Sequence, residues 1–285
     1  MDTHYIYNGF IYQHNEQKFS VSNRALLFGD CVTEVIRAAQ GKIFFFDQHI
    51  DNLLKALEIL EIVPPKKILL QRQLFLEEVT RIINKNKLFK GLLIRIIVFR
   101  GGGSELLPKI EDSEYVIETF ADSAVEILPS KTGMSMAFYD ALPAYAGVLS
   151  NYDTHVNKIA KIKAAKYAQE SKKQDALLYN HSGKIVEAAI MGNVYVVKGQ
   201  KINTPPLVDG CFNDVMRGQI LQVAQENGLE VDENTSLTTE FLKQADEIFT
   251  ASTAAGINWV AALDDKRFYH KYYDRITKGI NQLYK

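Results

Sequence analysis

The sequence has few cysteines, almost no excess of charge of either sign and no long apolar run. Only two of its 285 residues are cysteines, Cys31 and Cys211, and their spacing is not that of a zinc site. A disulfide framework is therefore excluded, and we expect two small buried apolar residues in a reducing compartment. Lysine and arginine total 33 against 34 aspartates and glutamates, so nothing in the bulk charge favours nucleic acid or an anionic membrane.

Signals for a membrane, a secretory leader, a metal site and a phosphate loop are also lacking. No stretch approaches the ~20 apolar residues that a membrane span needs. The first residues, MDTHYIYNGF, lack a basic segment followed by an apolar one, so we expect a cytoplasmic protein. The histidines show no metal-ligand spacing, and no Lys-Ser or Lys-Thr pair completes a phosphate loop after the glycines at 101–103.

What the sequence does have is the composition and patterning of a folded, enzyme-like chain. Hydrophobic residues make up 47% and charged residues 24%, and the length suggests two domains at roughly 150 residues each. Short strand-like runs alternate with amphipathic helices, and a turn-rich segment lies at residues 127–133. We therefore predict an α/β (α+β) protein with domains at 1–125 and 130–285.

Periodicity predicts several individual elements. Asn8-Gly9 and Gln40-Gly41 indicate hairpins, and residues 68–84 read as one amphipathic helix. A further helix is predicted over residues 156–170. Six lysines lie within residues 158–173, so most of them fall on this helix. Its core-facing residues should be Val156, Ile159, Ile162 and Ala165, and its solvated face should carry Lys158, Lys161 and Lys166.

A series of short motifs runs in order through nearly the whole chain. In the first half they lie at residues 23–30 (NRALLFGD), 34–37, 49–53 (HIDNL) and 98–102 (VFRGG). In the second half they lie at 155–157, 175–178 (DALL), 183–187 (GKIVE), 193–194, 204–207 (TPPL), 217, 245–247 and 253–256 (TAAG). Together they resemble the class IV (fold-type IV) pyridoxal-phosphate enzymes, which include branched-chain and D-amino-acid aminotransferases and aminodeoxychorismate lyase.

The resemblance implies a fold and an activity. It implies a small N-terminal α+β domain, a larger C-terminal pseudo-barrel domain, pyridoxal phosphate in the cleft between them, and a homodimer. It also implies transamination or elimination on an amino-acid-like substrate. The cofactor would need a lysine for its aldehyde, a carboxylate for its ring nitrogen, and donors with positive charge for its phosphate.

The lysine expected from the resemblance is missing. It should stand three residues before Asn157, where this sequence has Thr154, and the spacing on to residues 175–178 fits without a gap. A hydroxyl cannot form an imine or carry a proton as an amine does. Lys158 is the nearest substitute, and the alternative is that Lys158 belongs to the solvated helix face.

The ring carboxylate is matched by Glu187, which precedes Asn193 by one residue more than is usual, so a bulge or insertion is expected between them. The alternative is that Glu187 is an exposed hairpin residue.

The positions that the resemblance assigns to the phosphate have changed: Asn52 replaces an arginine, Asp214 a glycine and Met216 a hydroxyl residue. Asp214 should cap the helix that begins near Val215, which would put negative charge where a phosphate should bind. Thr253 and Ala254 keep the phosphate-loop pattern.

Other positions complete the predicted site. Arg24, Thr33 and Arg95 are candidates for contact with the substrate, and salt bridges to Glu34 and similar residues are the alternative for the arginines. The sequence therefore predicts one of two functions. Either the chain keeps the family fold but has lost Schiff-base catalysis and binds a small anionic or amino-acid-like ligand, or it remains an active pyridoxal-phosphate aminotransferase or aminodeoxychorismate lyase.

Overall fold

The computed structural model describes residues 3–16, 18–110, 112–122, 126–127 and 130–284. Contacts divide the chain into two compact units. The first comprises Met1–Val125 with Asp153–His155, and the second comprises Glu126–Tyr152 with Val156–Lys285. A three-residue segment from the second half of the chain thus belongs to the first unit.

The first unit is an antiparallel sheet with helices. Its strands are β1 (His4–Tyr7), β2 (Phe10–Gln13), β3 (Cys31–Ala39), β4 (Lys42–Ile43), β5 (Gly91–Arg100) and β6 (Ser113–Asp122), in the spatial order β2-β1-β6-β5-β3-β4. Its helices are α1 (Arg24–Phe28), α2 (Phe46–Ile59), α3 (Lys66–Leu70) and α4 (Arg72–Asn86). The apolar side of α2 is buried and contacts β3.

The local turn predictions for this unit are confirmed, and the prediction for one helix is wrong. Asn8-Gly9 and Gln40-Gly41 connect hairpin strands with positive φ at all four residues, which is the backbone that two-residue hairpin turns require. The helix predicted over residues 68–84 is two helices, α3 and α4. They are separated at Gln71, whose extended φ of −132° breaks the helical path.

The second unit is built on a nine-stranded sheet. Its strands are β7 (Met134–Ala144), β8 (Asp175–Asn180), β9 (Ile185–Ala188), β10 (Asn193–Lys198), β11 (Lys201–Asn203), β12 (Glu230–Asp232), β13 (Glu247–Ser252), β14 (Gly256–Leu263) and β15 (Lys266–Arg267). The order is β12-β11-β10-β13-β14-β7-β8-β9, with β15 on β14. The helices are α5 (Lys158–Glu170), α6 (Val215–Glu226), α7 (Thr239–Lys243) and α8 (Tyr272–Leu283), and short 3-10 turns lie at Val148–Asn151 and Leu207–Asp209.

This sheet curls around an apolar core. A bridge between Ala188 and Gly192 joins the end of β9 to the residue before β10, so the last strand in the order returns to the third. Val194, Val196 and Ile248 point into the enclosed core. The predicted α+β class is confirmed, and the curled sheet matches the pseudo-barrel that the resemblance implied.

Strand alternation puts a second set of side chains on the opposite side of this sheet. Glu187 of β9, together with Asn193 and Tyr195 of β10, lies on this side, and we call these three residues the polar face. Helices α5 and α6 pack against the same unit, with α5 contacting β8 and α6 contacting β13. The polar face is therefore buried between sheet and helices rather than exposed to solvent.

The predicted orientation of α5 is wrong. Ile159 and Ile162 are 63% and 55% exposed, and Val156 lies before the helix and is 40% exposed. The buried residues are instead Ala160, Ala164 and Ala168, one small side chain per turn. Small residues let the helix approach β8 closely, a packing preference that a pattern of large apolar residues does not reveal.

Among the described residues no helix is both long and apolar enough to cross a membrane.

Candidate functional site

Glu187 is held in the interior of the second unit. Its side chain is only 1% exposed, so the alternative of an exposed hairpin residue is wrong. Glu187 and Asn193 flank the Ala188–Gly192 bridge, which joins the end of β9 to the residue before β10. Lys161 of α5 forms an ion pair with Glu187, with 2.7 Å between Nζ and Oε2, and the ammonium lies 5.8 Å from the centre of the Phe212 ring. Lys161 is 24% exposed, so its predicted place on a solvated face is wrong.

The loop between β9 and β10 is held in place by a buried carboxylate. The buried Asp175 carboxylate accepts hydrogen bonds from the backbone N–H groups of Ile190 and Met191, at 2.9–3.1 Å. Burial raises the pKa of Asp175, while these donors act in the opposite direction. Gly192 has φ of +86°, and a Cβ there would lie 2.8 Å from Cβ of Ser252. The extra residue predicted between Glu187 and Asn193 is accommodated in this tight loop.

The polar face contains polar atoms without protein partners. Among the described residues nothing hydrogen bonds to either side-chain amide atom of Asn193 or to the hydroxyl of Tyr195, and both side chains are fully buried. The Tyr195 ring stacks on Phe249 at 4.8 Å, and burial raises the pKa of Tyr195 well above its ordinary value, which keeps the hydroxyl neutral. A buried polar group without a partner costs about 1–3 kcal/mol, so these atoms favour a bound polar ligand or water.

Asp214 caps α6 as predicted. Its Oδ1 accepts hydrogen bonds from the backbone N–H of Met216 at 2.8 Å and from Oγ1 of Thr253 at 2.5 Å. Its Oδ2 accepts the backbone N–H of Thr253 at 2.8 Å. Val215 begins the helix and Ala254 is exposed. The helix N-terminus and Thr253, which the resemblance assigns to a phosphate, therefore already donate to a carboxylate of this chain.

In the first unit, Asn52 is part of a buried polar triad. Glu34 of β3 accepts from Nδ2 of Asn52 at 3.3 Å, and its other oxygen lies 2.5 Å from Nδ1 of His49. All three side chains are buried between β3 and α2. Asn52, at the predicted arginine position, thus has a structural partner within its own unit and presents a neutral amide.

Thr154 lies on the short segment that packs with the first unit. The backbone N–H of Thr33 donates to the carbonyl of Asp153 at 2.9 Å, and Sγ of Cys31 lies 3.3 Å from Nδ1 of His155. Thr154 is buried between these two contacts. Lys158 is the first residue of α5 and is half-buried.

The arginines form salt bridges with carboxylates, as the alternative reading predicts. Arg24 and Arg100 bind Asp30 at 2.7 and 3.1 Å, Arg95 binds Glu118 at 2.9 Å, and Arg217 binds Glu233 at 2.6 Å. Arg24 is buried and also donates to the carbonyls of Glu105 and Leu106, so its geometry is that of a structural residue. The substrate contacts of Arg24, Thr33 and Arg95 remain predictions.

Two features of the site were missed at the sequence level. Lys161 was assigned to a solvated face, although the alanines at 160, 164 and 168 were a signal for a different buried side. The role of Asp175 in holding the loop had no signal, because its partners are backbone N–H groups.

Both cysteines are buried as predicted, and burial raises the pKa of Cys211 to about 12. Within the described ranges no group of three or more His, Cys, Asp or Glu could hold a metal ion.

Comparison with known proteins shows the family to which this chain belongs. The model of the family described as amino-transferase class IV matches residues 31–263. The chain belongs to the class IV aminotransferase family. The resemblance predicted from the motifs is thereby confirmed.

Relatives and solved structures match over nearly the full chain. A Methanocaldococcus jannaschii protein, provisionally assigned as a branched-chain-amino-acid aminotransferase, is 28% identical over 98% of this chain and 94% of its own. The D-alanine aminotransferase of Staphylococcus epidermidis is 26% identical, with 96% and 94% covered. The branched-chain aminotransferase structure from Thermoproteus uzoniensis has a TM-score of 0.89 at 22% identity, with 100% and 95% covered, and supports the class IV fold. Members of this family normally bind pyridoxal phosphate.

Proposed function

We propose that this class IV aminotransferase-family protein has lost Schiff-base catalysis and binds a small anionic or amino-acid-like ligand. The observation that carries the proposal is the set of contacts made by Asp214. Three donors that would serve a phosphate, from Met216 and Thr253, already bind its buried carboxylate. A phosphate at the same place would meet like charge and compete for occupied hydrogen bonds.

Two further positions support the loss of the cofactor. Thr154 stands where the resemblance places the imine-forming lysine, and a threonine hydroxyl has no imine chemistry. Asn52 stands where it places a phosphate-binding arginine, and its amide donates to Glu34. The three substitutions remove the imine, the cation and the open helix end, so the residues present do not fit pyridoxal phosphate.

The polar face supports an amino-acid-like ligand over a purely anionic one. On this side of the sheet the charges of Lys161 and Glu187 are paired with each other, and among the described residues the side-chain amide of Asn193 offers one donor and one acceptor without partners. A ligand that carries both an ammonium and a carboxylate can bind both atoms of this amide. Asp214 lies on the same unit and adds negative charge, which disfavours a multiply charged anion.

The test is a spectrum of purified protein with added pyridoxal phosphate, followed by borohydride reduction and peptide mass spectrometry. We expect no imine absorption and no reduced adduct. The competing function is an active pyridoxal-phosphate enzyme that uses Lys158, and an adduct that maps to Lys158 would establish it in place of our proposal. As a companion experiment, the double variant Thr154→Lys with Asn52→Arg should restore an imine only if Asp214 is also replaced by glycine.

We also propose a homodimer, supported by an exposed apolar stripe. Val156, Ile159 and Ile162 are large apolar residues close together along the chain, and all three are at least 40% exposed. Stripes of this kind mark protein–protein contacts. Light scattering after gel filtration should give a dimer for the wild type and a monomer for Ile159→Glu. A monomeric wild type at micromolar concentration would contradict the proposal.

A further inference from the structure

The Lys161–Glu187 ion pair has a consequence for which ligands this unit accepts. Glu187 is almost completely buried, and the ammonium of Lys161 lies 2.7 Å from its Oε2. The resemblance assigns this carboxylate to the protonated ring nitrogen of a cofactor. The carboxylate that a cationic nitrogen would need is therefore already in contact with a cation of the chain itself.

We propose that Lys161 is an internal occupant of the Glu187 site, so that a ligand with a protonated ring nitrogen binds there only by displacing it. The inference rests on the proposed function and extends it, because it names what excludes the ring from the polar face. The Lys161 ammonium contacts Oε2 of Glu187, and a protonated ring nitrogen brought to the same oxygen would meet a like charge, which disfavours its protonated form. The ion pair and a bound ring therefore compete for this oxygen.

The surroundings show that the place is built for a polar group and not only for packing. Glu187 and Asn193 flank the Ala188–Gly192 bridge, and among the described residues neither amide atom of Asn193 nor the hydroxyl of Tyr195, two residues along the same strand, has a partner. Lys161 satisfies the charge of Glu187 but leaves these three polar atoms without partners among the described residues. A flat ligand with hydroxyl groups would bind them once the ammonium had moved.

The geometry of α5 explains why Lys161 and not Lys158 reaches the carboxylate. Ala160 and Ala164 face the sheet on either side of Lys161 and hold the helix close to β8, whose neighbour is β9. The Lys161 side chain crosses beside Phe212, which contacts the ammonium with its ring face. Lys163 is exposed on the same helix, which makes it a matched control.

The test uses pyridoxine, which has the ring nitrogen and hydroxyls but neither an aldehyde nor a phosphate. Binding to the full-length protein is measured by calorimetry for the wild type, Lys161→Met and Lys163→Met. We expect Lys161→Met to bind pyridoxine at least about tenfold more tightly than the wild type, the ratio expected from one competing charged contact. Lys163→Met should behave as the wild type. Equal affinity of Lys161→Met and wild type would overturn the inference.

A second measurement covers the case in which Lys161→Met does not fold. Reductive methylation of native wild-type protein, read by peptide mass spectrometry, should modify Lys161 much more slowly than Lys163, because the Lys161 ammonium is held against the Glu187 carboxylate and its side chain is only 24% exposed. Glu187→Gln should remove the difference. Equal rates at both lysines in the wild type would also overturn the inference. Because pyridoxine cannot form an imine, neither result depends on the spectrum that tests the proposed function.

Discussion

Replacement of Asp214 by glycine tests whether its carboxylate occupies an anion site. Glycine is a tolerable N-cap, so the loss of the cap itself costs only a few tenths of a kcal/mol. The larger cost comes from Thr253, whose N–H and hydroxyl lose a buried charged acceptor at 2.8 and 2.5 Å. With about 1–3 kcal/mol for each of these two donors, we expect the free energy of unfolding to fall by about 2–6 kcal/mol.

The variant should also gain an affinity that the wild type lacks. Removal of the carboxylate leaves the donors of Met216 and Thr253 at a helix N-terminus, which is an anion-binding arrangement. Inorganic phosphate at about ten times its dissociation constant would then stabilise Asp214→Gly by about 1.4 kcal/mol. Chemical denaturation with and without phosphate measures both effects.

The control for this experiment is Asp214→Asn, which fills the same space without charge. Its carbonyl can still accept from Met216, but its NH₂ group meets the Thr253 N–H donor to donor, so it should be destabilised without gaining affinity for phosphate. If phosphate stabilises the wild type as much as Asp214→Gly, the carboxylate does not block the site and the reasoning is wrong.

Three further predictions concern stability and reactivity. Gly192→Ala should lower the free energy of unfolding by about 1–3 kcal/mol, because φ is +86° and the new Cβ meets Ser252; urea denaturation measures it. Lys201 lowers the pKa of Asp232, so this carboxylate stabilises the fold above its ordinary pKa and the stabilisation is lost as the pH falls through the lowered value. Asp232→Asn should therefore cost about 1–3 kcal/mol at neutral pH, and the difference from wild type should shrink in acid unfolding experiments. The thiol of Cys211, with its pKa raised to about 12 by burial, should not react with a disulfide reagent in native protein at pH 8.

Each of these predictions has a matched control. Gly183 also has positive φ, but a Cβ there meets nothing within 4 Å, so Gly183→Ala should cost less than Gly192→Ala. Lys201→Met should show the same pH dependence as Asp232→Asn, and an unchanged difference at low pH would contradict the assigned cause. Labelling of Cys211 in native Cys31→Ser protein, at the rate seen after denaturation, would show that burial does not protect it.

Local signals predicted the fold well where backbone chemistry is decisive. The Asn-Gly and Gln-Gly pairs placed two hairpins because positive φ at consecutive residues suits few residue types. The run at 91–100, rich in β-branched residues, is β5 in full. Asp214 was recognised as an N-cap because short acidic side chains at a helix start have one dominant use.

The sequence was less informative where packing decides which side of a helix is buried. Residues 158–170 contain both an isoleucine stripe and an alanine stripe, and close approach to β8 selected the smaller residues. That choice rotated Lys161 inward, a result that hydrophobicity alone cannot predict.

The assignment of residues 153–155 to the first unit limits how the gene can be recombined. Thr154 sits in a segment whose contacts, to Thr33 and Cys31, are made with residues encoded more than a hundred codons earlier. A chimera joined to a relative at a single crossover near residue 125 would combine those contacts from two parents. A chimera that takes its second half from an active relative should therefore take β3 from that relative as well. Otherwise the relative's lysine would lie beside the Thr33 and Cys31 of this chain, which here neighbour Thr154.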